Sequence, residues 1–221
     1  MVESQRKSIF AAGGLLALAS LLGTGLLWLT SWHAEAYIEE NERNRLLSNL
    51  NQVIAADSYD NDLLTDSITL DAPAVTAGLI TSQVYRARRN GKPVALAMTT
   101  VAPDGYNGTI VILVGMDHQG VLSGVRIIKH RETPGLGDAI EAERSDWVFG
   151  FRGKSRSNPA DERWQVKKDG GDFIQFTGAT ITPRAVVRAV HRSLVFYAEH
   201  RRQLFGLPSH QRLIVDNSKT E

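Results

Sequence analysis

The sequence predicts an α+β architecture: a single N-terminal transmembrane helix, then a domain with an antiparallel sheet and flanking helices. Three features carry that expectation. Residues 8–32 contain no charged side chain. Several short runs rich in β-branched residues follow between residues 81 and 130, broken by turn signals. A long amphipathic run then begins at Pro183. Strands and helices segregated in this way suit an α+β block better than alternating βα units.

The first element is SIFAAGGLLALASLLGTGLLWLTSW, residues 8–32. A spanning helix needs roughly 20 apolar residues, and the run is long enough. Its four glycines are typical of membrane helices. The rival is a cleaved signal peptide, for which Ala34-Glu35-Ala36 resembles a cleavage triplet. A signal core is only about 7–15 residues long, so the anchor is favoured. Arg6 and Lys7 precede the run, and the next basic residue is Arg43. That bias sets the N-terminus in the cytoplasm and the remainder outside it. The expected divisions are a cytoplasmic tail (1–7), a transmembrane helix (8–32), a connecting helix (33–56), a folded domain (57–207) and a polar C-terminal tail (208–221).

In the connecting segment Leu46, Leu47, Leu50, Val53 and Ile54 share one helical face. Thr81–Ala87 and Val94–Val101 flank Asn90-Gly91, a strong hairpin signal. Thr109–Val114 and Val121–His130 flank the turn Asp117-His118-Gln119-Gly120. Together these runs predict an antiparallel meander. A helix is expected over Asp138–Val148 and a turn at residues 169–172. The last helix should bury Val186, Val187, Val190, Leu194 and Tyr197, and end at Gly206 and Pro208.

Composition removes several function classes. The formal charge is +1 and the basic residues are scattered, which argues against nucleic acid as a partner. No cysteine is present, which excludes disulfides, thiolate catalysis and thiolate-held iron–sulfur clusters. None of the six histidines forms an HxxxH or HExxH pair, so no metal site is expected.

The stretch FTGATITPRAV, residues 176–186, crowds Thr177, Thr180 and Thr182 with Gly178 and Ala179 at a helix start. Thr182 reads as the N-cap, with Pro183 at the first helical position. Unpaired N–H groups and the positive dipole end make such a start a ready anion site. The small Gly178 and Ala179 leave room for a ligand. That pattern suggests a phosphate near Thr180 with Arg184 as counter-charge. Spacing alone leaves a plain capping-and-turn role open. A threonine-nucleophile hydrolase lacks a base near the motif, and no catalytic residue is assigned.

The motif resembles the flavinylation signature of the FMN-binding domain family, whose core is Ser/Thr-Gly-Ala-Thr. HRETPGLGDAI (130–140), APDGYNG (102–108) and WQVKKDGGDF (164–173) further resemble the G subunit of the Rnf (Rsx) electron-transport complex. The resemblance spans the chain from the apolar run to about Leu207. It implies FMN joined covalently, through a phosphoester, to Thr180. It also implies a flavin transferase as modifying partner, and as further partners the other membrane subunits of the complex and the lipid bilayer. That transferase usually favours an aspartate three residues before the motif. Ile174 stands there in this chain, and Asp172 lies two residues earlier.

Beside the resemblance, Glu132, Thr133, Pro134, Gly135, Leu136 and Gly137 form a loop whose glycines permit close backbone approach to a flat ring. Such a loop could aim N–H groups at the ring's carbonyl edges, or be an ordinary turn. Tyr106 could stack near a flavin or cover the core. The implied role is a membrane-anchored electron carrier in a complex that couples ferredoxin/NAD redox chemistry to ion movement. The alternatives are a C-subunit-like component of a sodium-pumping NADH:quinone oxidoreductase and a cofactor-free membrane-anchored assembly protein.

Overall fold

The computed structural model describes the backbone of residues 2–215, and the side chains of that span apart from 2–12, 26–27 and 29–39. The chain divides into two compact units, Met1–Leu46 and Leu47–Glu221. Helix α1 (Val2–Val53) makes up the first unit, and its last residues belong to the second. Among the described residues no helix is long and apolar enough to cross a membrane. The run 8–32 is helical in backbone, and it falls in part on side chains outside the description.

The second unit is built on one six-stranded sheet of order β5-β4-β3-β2-β1-β6. Strands β2 (Ser82–Arg89), β3 (Lys92–Gly105), β4 (Gly108–Asp117) and β5 (Leu122–Lys129) form the expected antiparallel meander. Asn90 and Gly91 both take positive φ, 51° and 73°. That is the backbone twist which suits a two-residue hairpin between right-twisted strands.

Two strands depart from the expectation. β1 (Ser67–Asp71) is antiparallel to β2, with Ile68 and Leu70 buried. β6 (Arg212–Ile214) lies within the segment read as a polar tail, and it pairs with β1 in parallel. The sheet is therefore mixed, not purely antiparallel. Three exposed or half-exposed residues give β6 no apolar alternation. It is held by backbone bonds to the edge, such as His210 N–H to Ser67 O at 2.7 Å and Val215 N–H to Asp71 O at 2.9 Å. Residues 216–221 lie outside the described residues.

The helix expected over Asp138–Val148 is replaced by two 3₁₀ turns, Gly137–Ile140 and Asp146–Phe151. Ser145 breaks the run. Its hydroxyl donates to Ala139 O (2.6 Å) and accepts from Trp147 N–H (3.2 Å), the side-chain competition that serine offers to a helix interior.

Helix α3 (Ile181–Gly206) buries Val186, Val187, Val190, Leu194 and Tyr197, as its periodicity requires. They share a core with Leu96, Met98, Ile110, Ile112, Val114 and Met116 from one face of β3 and β4, the even-numbered face that strand alternation dictates. The short helix α2 (Pro73–Thr76) packs against β3 and α3.

The opposite face receives the end of α1. Gly115 and Gly124 are paired across β4 and β5. A Cβ on Gly115 would lie 2.4 Å from Val53 O, and one on Gly124 2.9 Å from Val53 Cα. The Ser123 hydroxyl donates to Val53 O, and Arg126 Nε to Gln52 Oε1 at 2.9 Å. The glycine pair is a seat for backbone, and Leu50, Val53 and Ile54 are buried there.

Candidate functional site

Three segments far apart in sequence meet at the N-terminal end of α3. The first is the β3–β4 hairpin tip. Gly105 pairs with Gly108, and a Cβ on Gly105 would stand 2.3 Å from Gly108 O. Only glycine fits there, and Tyr106 is pushed out to the surface, 65% exposed.

The second segment is the Glu132–Gly137 loop. Its N–H groups at Leu136 and Gly137 both donate to Thr133 O, at 3.1 and 3.0 Å. Those two donors close the loop itself, as in an ordinary turn. Below the loop, His130 Nδ1 accepts from Glu132 N–H (3.0 Å), and His130 Nε2 pairs with Glu141 (2.7 Å).

The third segment is the threonine motif. Ala179 N–H donates to Phe176 O at 3.2 Å, and Gly178 has φ 80°. Thr177 is not among the positive-φ residues, so residues 176–179 form a turn that needs glycine at its third position. Thr180 occupies the N-cap position, and its side chain makes no capping hydrogen bond. Thr182 was the expected cap. It is instead the second helical residue, fully buried, with its hydroxyl donating to Glu132 Oε2. Pro183 is correspondingly third, not first. The buried carboxylate captures the hydroxyl that would otherwise have turned back on the helix.

Glu132 joins all three segments. Its side chain is buried, and it accepts from Asn107 N–H (3.0 Å), Tyr106 N–H (3.3 Å) and the Thr182 hydroxyl. A Cβ on Gly137 would sit 2.9 Å from Glu132 Cβ and 3.0 Å from Thr182 Oγ1, so this glycine too is required by packing. Asn107 Nδ2 adds a bond to Thr133 Oγ1 at 3.1 Å.

The cleft so formed has a volume of ≈ 250 Å³. Its lining comprises Tyr106, Glu132, Thr133, Leu136, Gly137, Gly178, Ala179, Thr180, Ile181 and Thr182. Nine of these were sequence candidates. Thr177, Pro134 and Gly135 are exposed and do not line it, and Ile181 was not anticipated. Leu136 and Ile181 are 46% and 44% exposed at its rim. Small-molecule clefts typically measure about 300–1,000 Å³, so this one has room for only part of a ligand of that size.

The charges differ from expectation. Arg184 does not stand free as a counter-charge. It forms a two-point pair with Asp169, at 2.6 and 2.8 Å. The hydrogen bond from Arg184 holds the Asp169 carboxyl below its ordinary range. Arg188 pairs with Asp104. The anion-favouring features left at the helix start are the leading N–H groups of Ile181 and Thr182 and the helix dipole. Trp147, unmarked in the sequence, steadies the approach to the motif. Its Nε1–H donates to Ile174 O at 2.6 Å, and its ring meets Phe176 edge-on at 5.3 Å. Ile174 is exposed, and Asp172 is committed to Arg163.

Residues 105–195 match the FMN-binding domain family, which spans the hairpin tip, the loop, the threonine motif and most of α3. The chain thus carries an FMN-binding domain. The G subunit of the ion-translocating oxidoreductase complex from Pseudomonas aeruginosa is 45% identical over 206 residues, 93% of this chain and 96% of the relative. The corresponding protein from Shewanella piezotolerans is 45% identical over 204 residues (92% and 96%), and that from Vibrio cholerae 44% over 197 (89% and 94%). Shewanella oneidensis NqrC, a solved structure, covers 71% of this chain and 73% of its own, at 18% identity and a TM-score of 0.44. The chain belongs to the family of G subunits of the ion-translocating oxidoreductase complex, the Rnf-type proteins that its motifs resemble.

Proposed function

We propose that the chain is a membrane-anchored electron-carrier subunit of an Rnf-type complex, with FMN joined by a phosphoester to the Thr180 hydroxyl. The observation that supports it most is the position of Thr180. It lies at the N-cap of α3, in the wall of the cleft, with a hydroxyl that makes no capping bond. When bound, FMN supplies one- and two-electron chemistry, and the protein supplies position and electrostatics. The leading N–H groups of α3 would receive a phosphate carried by Thr180. Leu136, Ile181 and Tyr106 offer apolar surface to a flat ring, and Gly178 with Ala179 lets it approach the backbone. The partly open cleft leaves part of the cofactor accessible for electron exchange with neighbouring subunits.

In this reading residues 8–32 cross the membrane, with the N-terminus cytoplasmic and the second unit outside. The charge-free helical run supports that, as do Leu15, Leu16, Leu18, Leu21 and Leu22, each more than half exposed. A flavin transferase attaches the cofactor. The complex couples ferredoxin/NAD electron transfer to ion movement, and this chain relays electrons between two of its redox centres.

Mass spectrometry of the purified chain, co-produced with a flavin transferase, tests the attachment beside a Thr180→Val variant. The expected result is an FMN-sized mass increase and in-gel fluorescence that survives denaturation, both absent from the variant. An unmodified native chain refutes the reading and favours the assembly role.

A further inference from the structure

The cleft carries its own negative charge. Glu132 is 4% exposed and lines the same cavity as Thr180. Both of its carboxylate oxygens act only as acceptors: Oε1 from Asn107 N–H, Oε2 from Tyr106 N–H and the Thr182 hydroxyl. Among the described residues no basic side chain lines the cavity. On α3, Arg184 and Arg188 are committed to Asp169 and Asp104. The positive feature beside Glu132 is the start of α3, which its carboxylate already engages through Thr182. Gly105 and Gly137 exist as glycines to make room for this group: their Cβ atoms would stand 2.9 Å from Glu132 Oε1 and from Glu132 Cβ.

We propose that Glu132 is a potential-setting residue, which lowers the reduction potential of the flavin and opposes formation of its anionic reduced state. The proposal rests on FMN being attached at Thr180. Two electrons and one proton convert oxidised flavin into the singly anionic reduced form. Two electrons and two protons give the neutral one. The electrons come from a neighbouring redox centre, or from dithionite in a titration, and the protons come from solvent. A fixed carboxylate in a partly desolvated wall penalises the anionic product relative to the neutral one, because Coulomb repulsion is weakly screened there. A cleft lined by outward N–H groups would act in the opposite direction.

The test is a mediated dithionite titration at pH 7 of the full chain in detergent, with covalent FMN first verified by mass. An absent FMN mass would fail the attachment itself, separately from this inference. With FMN present, Glu132→Gln is expected to shift the two-electron equilibrium at least tenfold towards reduction, about 30 mV upward. Thr182→Val removes a hydrogen bond from Glu132 but keeps its charge, and is expected not to raise the potential. Leu136→Lys, at an exposed rim position, adds a cation to the same cleft without touching the buried bonds. It should also raise the potential tenfold or more in equilibrium terms, and it carries the test if Glu132→Gln does not fold. An unchanged potential in Glu132→Gln, or in Leu136→Lys where it must stand in, overturns the proposal. So does an equal rise in Thr182→Val, since a merely structural disturbance moves both variants alike.

Discussion

Replacing Gly115 with alanine should loosen the end of α1 from the sheet without touching the cleft. The added Cβ would lie 2.4 Å from Val53 O, 2.8 Å from Val53 Cβ and 2.9 Å from Val53 C. Two of these atoms are backbone, so no rotamer change relieves the clash. Overpacking of this kind costs about 1–3 kcal/mol. Moving Val53 also endangers the bonds from Ser123 Oγ to Val53 O and from Arg126 Nε to Gln52 Oε1, each worth about 0.5–1.5 kcal/mol. With both bonds weakened but not lost, the total is about 3 kcal/mol. For a unit of this size each kcal/mol lowers Tm by about 2–4 °C, so the expected loss is about 6–12 °C. Differential scanning calorimetry of the full chain in detergent measures it. Gly150→Ala is the control, because a Cβ there meets nothing within 4 Å. It should stay within about 0.5 kcal/mol, the usual range for a surface change. A Gly115→Ala chain that melts within ~2 °C of the native one refutes the claim that this glycine seats the helix.

Two further outcomes follow from the far end of α3. Arg86 is buried, and it donates to Leu204 O (3.2 Å), Leu207 O (2.5 Å) and Ser209 Oγ (3.1 Å), besides pairing with Asp66. Arg86→Met should cost about 3 kcal/mol, because it takes the donor from two carbonyls and leaves Asp66 with Arg88 as its remaining ion-pair partner. Adding Asp66→Leu should deepen the loss, since Arg88 then loses its carboxylate, and urea midpoints of the single and double variants measure it. Asp66 also predicts acid sensitivity. Burial raises its pKa, but the Arg88 hydrogen bond and the charge of Arg86 outweigh burial, so the net shift is downward. A depressed carboxylate stabilises fully above the unfolded value of about 3.9, and the contribution is lost as pH falls through the lower folded value. Urea midpoints at pH 7, 4 and 3 should therefore drop more steeply in the native chain than in Asp66→Asn.

What the sequence disclosed divides by the range of the interaction responsible. The meander from β2 to β5 was legible because Asn90-Gly91 and the alternating runs are local signals. Helix α3 was legible through its apolar period. β1 and β6 were not, since β6 owes its existence to an edge supplied by residues more than a hundred positions earlier. The 3₁₀ turns at 137–151 were misread as a helix because the side-chain bonds of Ser145 leave no mark in periodicity. At the site, nine of the candidates do line one cleft. The part of Thr182 was misjudged because its partner, Glu132, lies fifty residues away. The arginine expected to meet a phosphate was likewise claimed by Asp169.

Helix α3 is fastened at both extremities: Thr182 to Glu132 at one, Arg86 and the β6 pairing at the other. A rod pinned twice cannot slide or swivel without breaking one of its moorings. Thr180, two residues ahead of the first anchorage, therefore has a nearly constant separation from the strands beneath. Anything borne there is presented to its surroundings at a fixed height and angle.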